Sequence, residues 1–112
     1  MSTFLPQDSN DNPIPALRLK SGGAHSISAA AASARNSTAF AAETKIVSLY
    51  SDVAVYVRFG DSAVTAATTD HYFPAGLYYD IAIGGENTAH YTHVAVLRAG
   101  VTDGTVYISE KE

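Results

Sequence analysis

The chain of 112 residues predicts an all-β protein: a small antiparallel β-sandwich or jelly roll of about six to eight strands, preceded by an extended N-terminal arm. Three observations carry that prediction. From Thr44 onward apolar residues recur with a period of two, the pattern of half-buried strands. Turn residues punctuate the chain at intervals of about ten residues. No segment offers the broad apolar stripe that an amphipathic helix needs.

The arm, residues 1–23, holds Pro6, Pro13 and Pro15 together with Asp8, Asn10, Asp11 and Asn12. Proline lacks a ladder N–H and restricts its neighbour, so regular structure is disfavoured there. Yet Phe4, Leu5, Ile14, Leu17 and Leu19 are spaced along it, and a solvated tail gains nothing from them. These five are the expected partner contacts of an arm that lies on its own domain or on a neighbouring chain. Ser21, Gly22 and Gly23 read as the hinge into a β-sandwich domain of residues 24–112.

Residues 24–40, "AHSISAAAASARNSTAF", are rich in Ala and Ser, which by propensity favours a short helix. Ile27 is the only large apolar residue before Phe40, so such a helix would bury almost nothing. A strand from about His25 to Ala31, followed by a loop through "SARNST", is the preferred reading, with the helix as its alternative. "TKIVSLYS" and "DVAVYVRFG" are two strands joined at Ser51 and Asp52. In the second, Val53, Val55, Val57 and Phe59 oppose Ala54, Tyr56 and Arg58. Weaker strand signals surround Val64 and Tyr72. "LYYDIAIGG" sets Leu77, Tyr79, Ile81 and Ile83 against Tyr78, Asp80 and Ala82. "HYTHVAVLRAG" sets Thr92, Val94 and Val96 against Tyr91, His93, Ala95 and Leu97. "GTVYISE" closes the chain after a "TDG" turn.

Composition narrows the function classes. Eleven acidic against seven basic residues leave a formal net charge of −4 with no basic cluster, which argues against nucleic acid bound through its phosphates. Without cysteine there is neither a disulfide nor a thiolate metal site. Stability must therefore come from the core, from self-association or from docking on a larger body. The first residues lack a signal peptide's basic start and apolar run, and no stretch approaches a membrane span. The expectation is a soluble protein made in a cytoplasm, without membrane contact.

No catalytic constellation emerges. Adjacent residues on a strand point to opposite faces, so Asp70 is not placed to orient the His71 imidazole. His90 and His93, three apart, would share a face on a helix but not on a strand, which disfavours a metal. "FGDSAV" is no nucleophile elbow, and "SGGAHS" and "IGGENT" lack the lysine of a phosphate loop. No catalytic residue, metal or cofactor is expected. The seven tyrosines are different, because a domain this small cannot bury them all and still satisfy their hydroxyls. Tyr72, Tyr78 and Tyr91 are the expected contacts of an outer sheet face, for protein or for sugar stacking.

The run "VAVYVRFGDSAVTAATTDHYFPAG", then "YYDIAIGG", "THVAVLRAG" and "GTVYISEKE", resembles a loose group of small virion structural proteins of tailed bacteriophages and prophages. The matching features are the strand end from Val57 to Gly60, the turn from Pro74 to Gly76, the strand from Leu77 to Ile83, and Ser109 with Glu110. The opening "FLPQDSNDNPIPALRL" is similar to the proline-containing arms of such proteins. The resemblance implies a non-enzymatic capsid decoration, cement or spike-base protein, assembled in the host cytoplasm and located on the capsid surface. It would dock on the major capsid protein or another virion protein through the arm and a tyrosine-bearing face. A homo-oligomer is implied too, trimers being common in that group. The rival readings are a tail-associated or head–tail connecting protein, and a carbohydrate-binding or adhesin module.

Overall fold

The structure, a computed structural model, describes residues 9–10, 17–85 and 87–112. Among these, eight strands and no helix are found: β1 (Leu19–Ala29), β2 (Ala34–Arg35), β3 (Ile46–Ser51), β4 (Val55–Gly60), β5 (His71–Phe73), β6 (Tyr78–Ala82), β7 (His93–Arg98) and β8 (Gly104–Lys111). One antiparallel sheet has the order β1-β8-β3-β6 and the other β2-β7-β4-β5. The chain thus changes sheet at almost every connection, and only β4 and β5 follow each other within one sheet. That order is the eight-stranded jelly roll, which decides between the two sandwich types left open by the sequence.

The period-two pattern becomes a core because alternate side chains of each strand face the other sheet. Val47 and Leu49 of β3, and Val106 and Ile108 of β8, meet Val55 and Val57 of β4 and Val94 and Val96 of β7. Ile27, Ile83 and Phe40 complete this layer, all nearly inaccessible to water. β-Branched residues dominate it, since they lose little freedom on a pleated surface.

The alanine-rich stretch takes the preferred reading, a strand, and not the helix: its first part extends β1, which pairs with β8 from Ala29 opposite Gly104 through to Leu19 opposite Lys111. Without large apolar residues at helical spacing, that stretch gains more from completing a sheet edge. The arm ends earlier than expected. Arg18 and Glu112 exchange backbone hydrogen bonds of 3.0 and 2.9 Å, so the sandwich starts at Arg18 and not at residue 24. Ser21, Gly22 and Gly23 are a bulge inside β1 and not a hinge. Gly22 takes a positive φ of 76°, and a Cβ on Gly23 would lie 2.9 Å from the Cβ of Glu110. Of the expected arm contacts, Leu19 is exposed on β1 and Leu17 is half-buried, whereas Phe4, Leu5 and Ile14 lie outside the described residues.

Another expectation that changes concerns Val64, which sits in a loop and not in a strand. Aspartates close a turn at each end of residues 61–70: Asp61 Oδ1 accepts the Ala63 N–H at 2.9 Å, and Asp70 Oδ2 accepts the Ala67 N–H at 2.7 Å. The turns fold the loop back over the second sheet.

Candidate functional site

The outer face of the first sheet carries a row of tyrosines that strand pairing assembles from distant parts of the chain. In register across the sheet, Ser26 of β1 lies opposite Tyr107 of β8, Tyr107 opposite Tyr50 of β3, and Tyr50 opposite Tyr78 of β6. All three rings are open to solvent, at 48, 38 and 59%. The Tyr107 and Tyr50 centroids are 6.4 Å apart. The next register row on this face is Ala24, Ser109, Ser48 and Asp80. Lys111 donates to Asp80 at 2.7 Å and lies 5.2 Å from the centre of the Tyr78 ring. The hydrogen bond to Asp80 raises the Lys111 pKa above the usual lysine value.

The second sheet treats its outer face differently. Val64 and Ala66 of the 61–70 loop pack on Ala95, which is wholly buried, and on Leu97. Ser33 Oγ accepts the Ala66 N–H at 2.8 Å, and Arg35 donates to the Val64 carbonyl at 3.2 Å, tying the loop to the β2 side. An outward alanine on β7 reads as surface in the sequence. Only the returning loop makes it core.

The three tyrosines expected to share a face do not. Tyr78 belongs to the row on the first sheet. Tyr72 is exposed on the outer face of the second sheet against Tyr56, with ring centres 5.8 Å apart. Tyr91 precedes β7 and leans on Phe59 at 6.0 Å. The reason is connectivity: β5 and β6 follow each other in sequence but belong to opposite sheets. Tyr50 and Tyr107 are the row members that the sequence reading did not select. Alternation alone places both outward, against Val47 and Leu49 or Val106 and Ile108, but the pairing of β3 with β8 is non-local.

Where β5 and β6 diverge, the sandwich opens into a cavity of about 720 Å³. Val57, Phe59, Phe73, Ile81 and Tyr91 line it, with Arg58, Asp70 and His71 at the mouth. Asp70 accepts a hydrogen bond within its own loop and lies 4.0 Å from Arg58, while His71 stands opposite Val57; both border the cavity.

The most constrained polar group is Glu110, which points inward from β8. Its carboxylate accepts from Thr44 Oγ1 at 2.7 Å, the Ala41 N–H at 2.8 Å and His25 Nε2 at 2.8 Å. Burial opposes its charged form, but these hydrogen bonds outweigh burial and hold the pKa below the usual glutamate value. His90 donates to the Thr44 carbonyl at 2.9 Å, whereas His93 lies 2.9 Å from Thr92 Oγ1, so the two histidines serve different contacts. Among the described residues no three His, Cys, Asp or Glu side chains gather as metal ligands do. The buried network ties β1, β8 and the segment before β3 together.

No protein-family model, curated protein or solved structure matches this chain.

Proposed function

We propose that this chain is a non-enzymatic structural protein of a tailed-phage virion, a capsid decoration or cement protein that docks on the coat through the outer face of its first sheet. The observation that carries this reading is the in-register row of Tyr107, Tyr50 and Tyr78. Rigid amphipathic rings provide contact area at low entropic cost, a property of protein-binding surfaces. The arm would extend the contact to an adjacent subunit, and repeated weak contacts on a lattice add through multivalency. The family resemblance of the strand and turn motifs supports the same reading.

The test is the copy number of the protein in purified virions. Hundreds of copies support decoration, a ring of about a dozen supports a connector of head or tail, and none removes the virion reading. Co-sedimentation then locates the face: Tyr50→Ser with Tyr107→Ser should abolish particle binding while the protein remains folded.

A second reading, a carbohydrate-binding module, is favoured by the hydroxyls and the Lys111 and Asp80 pair beside the rings. Pyranose faces stack on tyrosine and their hydroxyls need such partners. Binding on a glycan array that is lost with Tyr78→Ser would replace the capsid reading.

A further inference from the structure

We propose that the cavity between β5 and β6 is a carbohydrate site that takes a neutral pyranose and is separate from the tyrosine face. The position of His71 carries this inference. It lies opposite Val57 in the pairing of β5 with β4, and Phe73 lies opposite Val55, so both project to the inner side of the second sheet. Other polar side chains that face inward from a strand are bonded: His25 to Glu110 at 2.8 Å, and Ser51 to the Val53 carbonyl. His71 faces inward yet is exposed, and among the described residues its ring has no hydrogen bond or ion pair. Inward positions of a sandwich strand ordinarily supply apolar core, so this imidazole stands as an unused polar group on the cavity wall.

The rest of the lining selects the ligand. Phe59, Phe73 and Ile81 give the walls apolar surface, and Tyr91, 40% exposed and resting on Phe59, adds an aromatic face. Phe73 packs edge-on against Tyr79 with their planes 89° apart, so these two rings do not form the parallel slot that a flat heteroaromatic base needs. Arg58 and Asp70 stand 4.0 Å apart, too far for a hydrogen bond but close enough for their charges to cancel. No surplus cation is left to hold a phosphate or a carboxylate. What remains is hydrogen-bonding capacity: the Arg58 guanidinium donates, Asp70 Oδ1 accepts, and a neutral imidazole does both. Sugar hydroxyls also donate and accept, and the C–H face of a pyranose suits the aromatic surface. At about 720 Å³ the cavity is of the size that encloses a small ligand, ample for a mono- or disaccharide. Ile81 lies opposite Val47 and points inward, whereas Tyr78 points outward, so a particle docked on the tyrosine face leaves the cavity residues free.

The test is an array of neutral and acidic oligosaccharides probed with the full-length protein, followed by calorimetric titration of the best neutral ligand. Neutral glycans should bind. His71→Ala and Tyr91→Leu should each lower the affinity roughly tenfold or more, while Tyr78→Ser leaves it unchanged. Because His71 is exposed, its replacement leaves the core intact. No neutral glycan bound, a preference for acidic glycans, or affinity retained by both cavity variants overturns the proposal. Affinity lost with Tyr78→Ser instead moves the sugar to the tyrosine row and overturns it too. Particle docking is read on virions, so it stands or falls separately from these titrations.

Discussion

The two sheets share a core but finish their outer faces in opposite ways. The second sheet folds its own 61–70 loop over β7, burying Ala95 under Val64 and Ala66. The first leaves Tyr107, Tyr50 and Tyr78 in the open. The same alternation of strand residues therefore produces core on one face and a candidate docking surface on the other. What differs is whether a connection returns across the sheet. The long connection between β4 and β5 does so, because both strands lie in that sheet and β4 is the direct neighbour of β7.

The largest effect should come from breaking the sealed face. Ala95→Asp places a carboxylate beneath the loop with no partner, and should destabilise the fold by about 3 kcal/mol or more in denaturant titration. If Ala95 were ordinary surface, the change would be within about 0.5 kcal/mol.

An intermediate effect is expected inside β8, the strand that bears Tyr107 outward and Glu110 inward. Glu110→Gln weakens bonds to Thr44, Ala41 and His25, and should lower stability at neutral pH by about 1–3 kcal/mol. The sign with pH follows from the lowered folded-state pKa. The folded state binds this proton less readily than the unfolded chain, so the stabilisation is full above the ordinary glutamate range. It is lost as pH falls below that range and through the lowered folded-state value. Thermal melts between neutral and acid pH should therefore converge for the parent protein and the variant.

The smallest stability effect belongs to the open face. Tyr107→Ser should shift stability by about 1 kcal/mol at most, since the side chain is about half exposed and its ring pairs with Tyr50 across the strands. A larger loss would mean that the row holds the sheet together, and the functional reading of that face would fall.

Much of the fold was legible from local pattern. The alternations in "IVSLYS", "LYYDIAIGG" and "GTVYISE" mark real strands, and they orient Tyr50, Tyr78 and Tyr107 outward without reference to anything distant. The bulge at Gly22 was misread as a hinge because adjacent glycines look alike in either setting; the closeness of Glu110 across β8 is what requires Gly23. The grouping of Tyr72, Tyr78 and Tyr91 failed for a related reason. Nearness in sequence and shared orientation do not report which sheet a strand joins.

By itself the sequence determined the all-β class and the inward and outward sides of its main strands. These depend on backbone geometry and on residues within a few positions of one another. Only the tertiary structure decided the jelly-roll order, the tyrosine row across β8, β3 and β6, the loop that seals β7, and the groove between β5 and β6. Each of those depends on which strands pair, and pairing is set by the free energy of closing the whole core, to which no single segment holds the key.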